Sequence, residues 1–171
     1  DQHRLEWILS RVDMSDYAGV AGRNLLHYAA VHGRETMLGA LLEHGISPND
    51  TDQSGRLPLH YAIESDSDAV AKSLVAVTAQ LDRADEQGLT PLMMAARKGK
   101  PELVEKLLSA GADPDRRNAE GATALSLAAA ADHPQVVKIL REVSKRPPAT
   151  AAAADVARVG DVKTLRWMIE Q

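Results

Sequence analysis

An all-α repeat solenoid is the fold this sequence predicts, and three observations predict it. Gly22, Gly55, Gly88 and Gly121 recur at one constant spacing, without slippage. Each opens a near-copy of one motif: Arg23-Asn24-Leu25-Leu26-His27-Tyr28-Ala29-Ala30, Arg56-Leu57-Pro58-Leu59-His60-Tyr61-Ala62-Ile63, Leu89-Thr90-Pro91-Leu92-Met93-Met94-Ala95-Ala96 and Ala122-Thr123-Ala124-Leu125-Ser126-Leu127-Ala128-Ala129. A fixed period of this length marks stacked units rather than a single globular core. The third observation is composition. Of 171 residues 44% are hydrophobic but only 3% aromatic, with no Phe. Ala and Leu suit thin layers of closely packed helices, whereas a compact globule would fill its centre with larger rings.

The elements follow in chain order as one domain over 1–171. Residues 1–21 read as a partial unit, in which Leu5 to Arg11 resembles a second helix with Trp7, Ile8 and Leu9 apolar. Full repeats then occupy 22–54, 55–87, 88–120 and 121–148. The third shows the logic most clearly. Asp85-Glu86-Gln87-Gly88 is a polar turn, and Gly88 supplies the φ > 0 such a turn needs. Thr90 is a good N-cap, and Pro91 is preorganised for the first helical position. Leu92, Ala95 and Ala96 form the inward face, and Gly99 stops this short helix. Pro101-Glu102 opens a second helix, with Glu102 complementing its dipole. Leu103, Val104, Leu107 and Leu108 follow at helical spacing, and Gly111 caps the end. A unit is therefore helix, turn, helix and extended finger. It is too small to bury both helices alone, so stability comes from stacking on its neighbours.

Repeat two departs from this pattern. Asp66 replaces the glycine between its helices, and Thr78 stands where Gly45 and Gly111 stand in theirs. A β-branched residue disfavours the left-handed cap, so an irregular or lengthened second helix is expected near Ala76 to Leu81. At the other end, Lys145-Arg146-Pro147-Pro148 is expected to make a tight link into a partial unit over 149–171. In that unit Asp155 to Gly160 reads as the end of a first helix. Asp161 to Gln171 reads as a second, with Val162, Leu165, Met168 and Ile169 apolar. Both chain ends fall on helices without polar caps, which points to a piece of a longer protein.

These repeats resemble the ankyrin family over Gly22 to about Ser144. The family's T-P-L-H-x-A motif is matched by Leu57-Pro58-Leu59-His60-Tyr61-Ala62 and Thr90-Pro91-Leu92-Met93-Met94-Ala95, and its G-A-D by Gly111-Ala112-Asp113. The resemblance implies an ankyrin-repeat α-solenoid of helix-turn-helix units with short β-hairpin-like fingers. It also implies that His27 and His60, at the His position of the motif, bond the finger backbone and tie neighbouring units. Asn49 falls where many members carry a finger-base Asn and is expected to form a turn.

Chemistry is sparse. No Cys is present, which excludes disulfides, thiolate metal sites and cysteine catalysis. No nucleophile constellation, paired acid–base set or Gly-rich phosphate loop emerges, so no catalytic, cofactor or metal residue is assigned and the segment is not expected to be an enzyme. His44 and His133 are expected on the surface. The acidic run Glu64-Ser65-Asp66-Ser67-Asp68 reads as a solvated loop. A net charge of −4 and few aromatics exclude a nucleic-acid footprint. No signal-peptide pattern opens the chain and no stretch is long enough for membrane insertion, so an intracellular, cytoplasmic setting is expected (or a host cytoplasm for a microbial effector).

What remains is surface. Family members typically bind proteins with fingertips and the exposed side of the first helices, a concave strip. Mapped here, that strip contains Arg23, Gln53, Arg56, Glu64, Glu86, Leu89, Arg97, Lys98 and Arg117. Leu89, read as an exposed apolar side chain among charges, is expected to form a hot spot with Arg97 and Arg117. The leading function is thus a protein-interaction module for another protein or peptide. The alternative is a targeting or autoregulatory segment of a larger enzyme, channel or microbial effector.

Overall fold

A seven-residue helix is only two turns long and does not persist alone in water. Each such helix must therefore be fixed by its caps and by a packed face. In the computed structural model, which describes residues 19–143, a short 3-10 turn at Val20–Gly22 precedes eight α-helices, and no strand occurs among the described residues. The helices come in pairs: α1 (Leu25–Val31) with α2 (Glu35–Glu43), α3 (Pro58–Glu64) with α4 (Asp68–Val77), α5 (Pro91–Arg97) with α6 (Pro101–Ser109), and α7 (Ala124–Ala130) with α8 (Pro134–Val143). The first helix of every pair has seven residues. The parts expected over Leu5 to Arg11 and beyond Lys145 lie outside the described residues.

Caps follow the motif. Asn24 Oδ1 accepts from the backbone N–H groups of Leu26 and His27 at 3.0 and 3.2 Å. Thr90 Oγ1 accepts from Met93 at 3.3 Å, and Thr123 Oγ1 from Ser126 at 3.2 Å. Pro91 and Pro101 take the first positions of α5 and α6.

The far ends of the first helices share one closing motif. Arg34 N–H donates to Ala29 O at 2.9 Å, Ser67 to Ala62 at 3.0 Å, Lys100 to Ala95 at 3.1 Å and His133 to Ala128 at 3.0 Å. This six-residue closure needs a left-handed residue just before the donor. Gly33 (φ 61°) and Gly99 (φ 66°) supply it in two repeats, and Asp66 and Asp132 (both φ 58°) in the others.

Outer helices α2 and α6 end the same way: Ile46 N–H donates to Leu41 O at 3.1 Å and Ala112 to Leu107 at 3.0 Å. The end of α4 differs, as its sequence predicts. Thr78 is extended (φ −82°, ψ 120°), and α4 runs ten residues where α2 and α6 run nine. The side chain of Asn49 serves the chain that leaves α4, its Oδ1 accepting from Ala79 at 2.9 Å and Gln80 at 3.3 Å.

Two compact units divide the chain, Asp1–Glu86 and Gln87–Gln171. In the first, α1 packs on α3, each packs on its own outer helix, and α2 meets α4; in the second, α5, α7, α6 and α8 repeat this arrangement. The first helices approach closely because Ala29, Ala62, Ala95 and Ala128, all 0% exposed, present only a methyl group. Around them Leu26, Leu59 and Ile63 fill the first unit, and Leu92, Leu125 and Leu107 the second. The fingers are hairpin-like turns without strands. Asp52 N–H donates to Arg56 O and Asn118 to Ala122 O, both at 3.0 Å. Each turn is locked by its first side chain: Asp52 Oδ1 accepts from Ser54 and Arg56 at 2.9 Å, and Asn118 Oδ1 from Glu120 and Ala122 at 3.0 and 2.8 Å.

Candidate interaction surface

In the first unit the second finger folds back over the start of α3, and this brings Asp52 to Tyr61. The Tyr61 hydroxyl donates to Asp52 Oδ2 at 2.6 Å, a short bond of the charge-assisted kind. Burial opposes ionisation of Asp52, but donors from Tyr61, then Arg56 and Ser54, outweigh it and hold the carboxyl below its ordinary range. The Tyr61 phenol moves the other way: burial, and then the bond to Asp52, push it up, so it stays a donor. Two guanidinium groups lie over the same ring, Arg23 with Cζ 4.6 Å and Arg56 with Cζ 4.4 Å from its centroid. Such stacking attracts a cation to the ring face. Arg56 Nη2 also pairs with Glu64 Oε2 at 2.8 Å.

His27 completes this cluster, its ring meeting Tyr61 edge-on with centroids 5.7 Å apart. Asn24 N–H donates to His27 Nδ1 at 3.1 Å, which leaves Nε2–H to donate to Arg56 O at 3.0 Å. A neutral ring satisfies both bonds, and burial keeps its pKa below the usual histidine value. The bond from α1 to the second finger is the inter-repeat tie expected of the motif histidine. His60 is also fully buried, and its Nδ1 accepts from Leu57 N–H at 3.0 Å.

The helix pairs, their shared closures and the histidine tie match a family pattern at the level of sequence. A family model described as ankyrin repeats (3 copies) matches residues 2–85 and again 70–156. The chain belongs to the ankyrin repeat family. Comparison with curated proteins finds no match. Ankyrin repeats are generally protein–protein interaction modules and are typically non-catalytic. Among the described residues no cluster of three or more His, Cys, Asp or Glu is placed to hold a metal ion, and no helix is long and apolar enough to cross a membrane.

The sequence-predicted residues of the ankyrin strip divide by unit. Gln53, Glu64 and Glu86 are exposed in the first, with Arg23 and Arg56 half-buried against Tyr61. Arg97 and Arg117 are exposed in the second and Lys98 is half-buried; Arg117 Nη1 donates to Gly121 O at 2.6 Å.

Leu89 is a correction. It is 4% exposed and belongs to the core, so it forms no apolar hot spot. Its register position is that of Arg23 and Arg56, a slot just before the first helix. A long Arg stem leaves that slot and lays its guanidinium over Tyr61, whereas a Leu has nothing to send out and fills it. Ala122, at the same position in repeat four, is 1% exposed.

His133 has a packing role that its sequence position does not show. It lies at the surface as expected but is partly covered: its Nε2 lies 3.1 Å from Arg97 O, and its ring would collide with a Cβ at Gly99. Sequence reasoning also missed the role of Tyr61 and Asp52, and passed over Val20. That valine, at the tip position of the first finger, is 84% exposed.

Proposed function

We propose that this chain binds a partner protein through its fingertips and the exposed ends of its first helices. The first unit supplies Arg23, Gln53, Arg56, Glu64 and Glu86, and the second Arg97, Lys98 and Arg117. The observation that carries this reading is the division of labour on each short helix. In α3 and α5 every residue from Pro58 to Ile63 and from Pro91 to Ala96 is buried, and only the last, Glu64 and Arg97, is exposed. The charges are mixed in the first unit, Arg23 and Arg56 beside Glu64 and Glu86, and basic in the second at Arg97, Lys98 and Arg117. Such a pattern favours specific orientation of a partner over non-specific attraction.

The test is affinity capture from a lysate of the source organism. Wild type is run beside Arg97→Glu/Arg117→Glu and beside Gln53→Ala/Glu86→Lys, after circular dichroism shows equal helicity. A partner captured by wild type and reduced at least about tenfold by either variant supports the reading, since interface energy concentrates in a few side chains. A partner captured equally by all three moves binding to the outer helices and refutes it. Leu89 is left unaltered because its replacement would test folding.

A further inference from the structure

The two arginines on Tyr61 occupy the same position in successive repeats, yet they are not equally provided for. Arg23 follows Gly22 as Arg56 follows Gly55. Arg56 has a carboxylate of its own, Glu64 at 2.8 Å. The position equivalent to Glu64 in repeat one holds Val31. Among the described residues the carboxylate paired with Arg23 is instead Asp52, with Oδ2 3.7 Å from Nε, beyond hydrogen-bond reach. The Asp52 oxygens are already engaged by Tyr61, Ser54 and Arg56, and its side chain is 1% exposed. Among the described residues the Nε of both arginines is buried without a hydrogen-bond partner, so the difference lies in the outer fork: Glu64 takes that of Arg56, whose side chain is 17% exposed, while the Arg23 side chain is 36% exposed.

We propose that the Arg23 guanidinium, held over Tyr61, receives the carboxylate of an acidic side chain from a partner's peptide segment, in the manner that Glu64 serves Arg56. This rests on the reading of the first-helix and finger surface as the binding face, and it names the chemistry recognised there. Three features favour that occupant. The Arg56–Glu64 pair is an internal example of carboxylate capture on the same ring. The Arg23 fork is already immobilised by stacking, so little side-chain freedom is lost on binding, and planar bidentate recognition of a carboxylate is what a guanidinium does best. Asp52 balances much of the charge at Arg23, so recognition depends on fork geometry more than on bulk attraction. A lysine at this position will not substitute.

The test uses short immobilised peptides, each acidic sequence paired with its Asn or Gln counterpart, probed with the intact labelled chain. Wild type is expected to retain acidic members about tenfold more strongly than their amide counterparts, the effect of one charge-assisted hydrogen-bonded contact. Arg23→Gln and Arg23→Lys should both lose this preference at unchanged helicity. Val31→Glu should lose it with Arg23 intact, by installing an internal carboxylate where repeat two has Glu64. Retention without acid preference, or a preference that survives all three variants, overturns the inference and leaves the broader surface reading in place. No retention at all also counts against a peptide carboxylate, and the broader reading is then decided by the capture experiment, which does not alter Arg23.

Discussion

Replacing Tyr61 by Phe removes one hydroxyl and nothing else. The ring remains for Arg23 and Arg56 to stack on, and no cavity opens, so the substitution isolates the 2.6 Å bond to Asp52. Asp52 is ionised and its side chain is 1% exposed, so a lost donor is poorly replaced by water. A hydrogen bond to a charged group contributes about 1.5–3 kcal/mol. A loss of about 2 kcal/mol, roughly a thirtyfold change in the unfolding equilibrium, is therefore expected at pH 7. In urea this moves the midpoint down by roughly 1 M, taking a slope of about 2 kcal/mol per molar.

The pH dependence supplies an independent check. A carboxyl whose folded pKa is depressed contributes stability that is present above its unfolded pKa and lost as pH falls through the folded value. Tyr61 is the strongest of the groups that lower the Asp52 pKa, so Tyr61→Phe raises it and acid destabilisation begins at higher pH. Below both values Asp52 is neutral in either state, and the gap between variant and wild type must narrow. The measurement is urea unfolding followed by far-ultraviolet circular dichroism at pH 7 and at successively lower pH through the acid limb of the wild-type stability curve. A loss under about 0.5 kcal/mol at pH 7, or one that does not narrow anywhere along that limb, would refute this account of the cluster.

Three further outcomes are expected. His27 has its pKa lowered chiefly by burial, so it resists protonation when folded. Its contribution is complete above the unfolded value of 6.5 and is lost as pH falls through that value towards the folded one, so melting temperatures should drop between pH 7 and 5, and by less in His27→Gln. Asp132→Gly places the preferred residue at φ 58° and should stabilise the second unit by about 0.5–1 kcal/mol in the same urea assay. Leu89→Ala, at a residue 4% exposed, should cost about 2–3 kcal/mol; a neutral result would return Leu89 to the surface.

Much of this architecture was legible in the chain because local chemistry and tertiary position agree. Thr90-Pro91 opens α5, and Gly99 and Gly111 take positive φ where the helices stop. Thr78 could be read as a departure because a β-branched residue resists the left-handed cap, and its extended backbone is the result. The misreading of Leu89 has a different origin. A repeat register identifies equivalent positions but not how deep a given side chain sits there. Arg and Leu at one position end in different places because only one of them has a long stem and a guanidinium that leaves the slot for the Tyr61 ring.

The Asp52–Tyr61 bond was illegible for another reason. The two residues belong to different elements, a finger and a helix, and they meet only once the finger has folded back. The packing of His133 was illegible because the space it fills is defined by a missing side chain at Gly99, in the preceding repeat.

The alanines at the helix contacts have a consequence beyond packing. Because Ala29 and Ala62 let α1 and α3 pack closely, they fix the interval between what those helices and the residues leading into them carry outward, including the two guanidinium groups that share Tyr61. Side chains on the solvent face are then free to vary in identity but not in interval, like marks on a ruler. A larger residue at Ala62 would leave each charge in place on its own repeat and still spoil recognition, by stretching the scale on which a partner reads them.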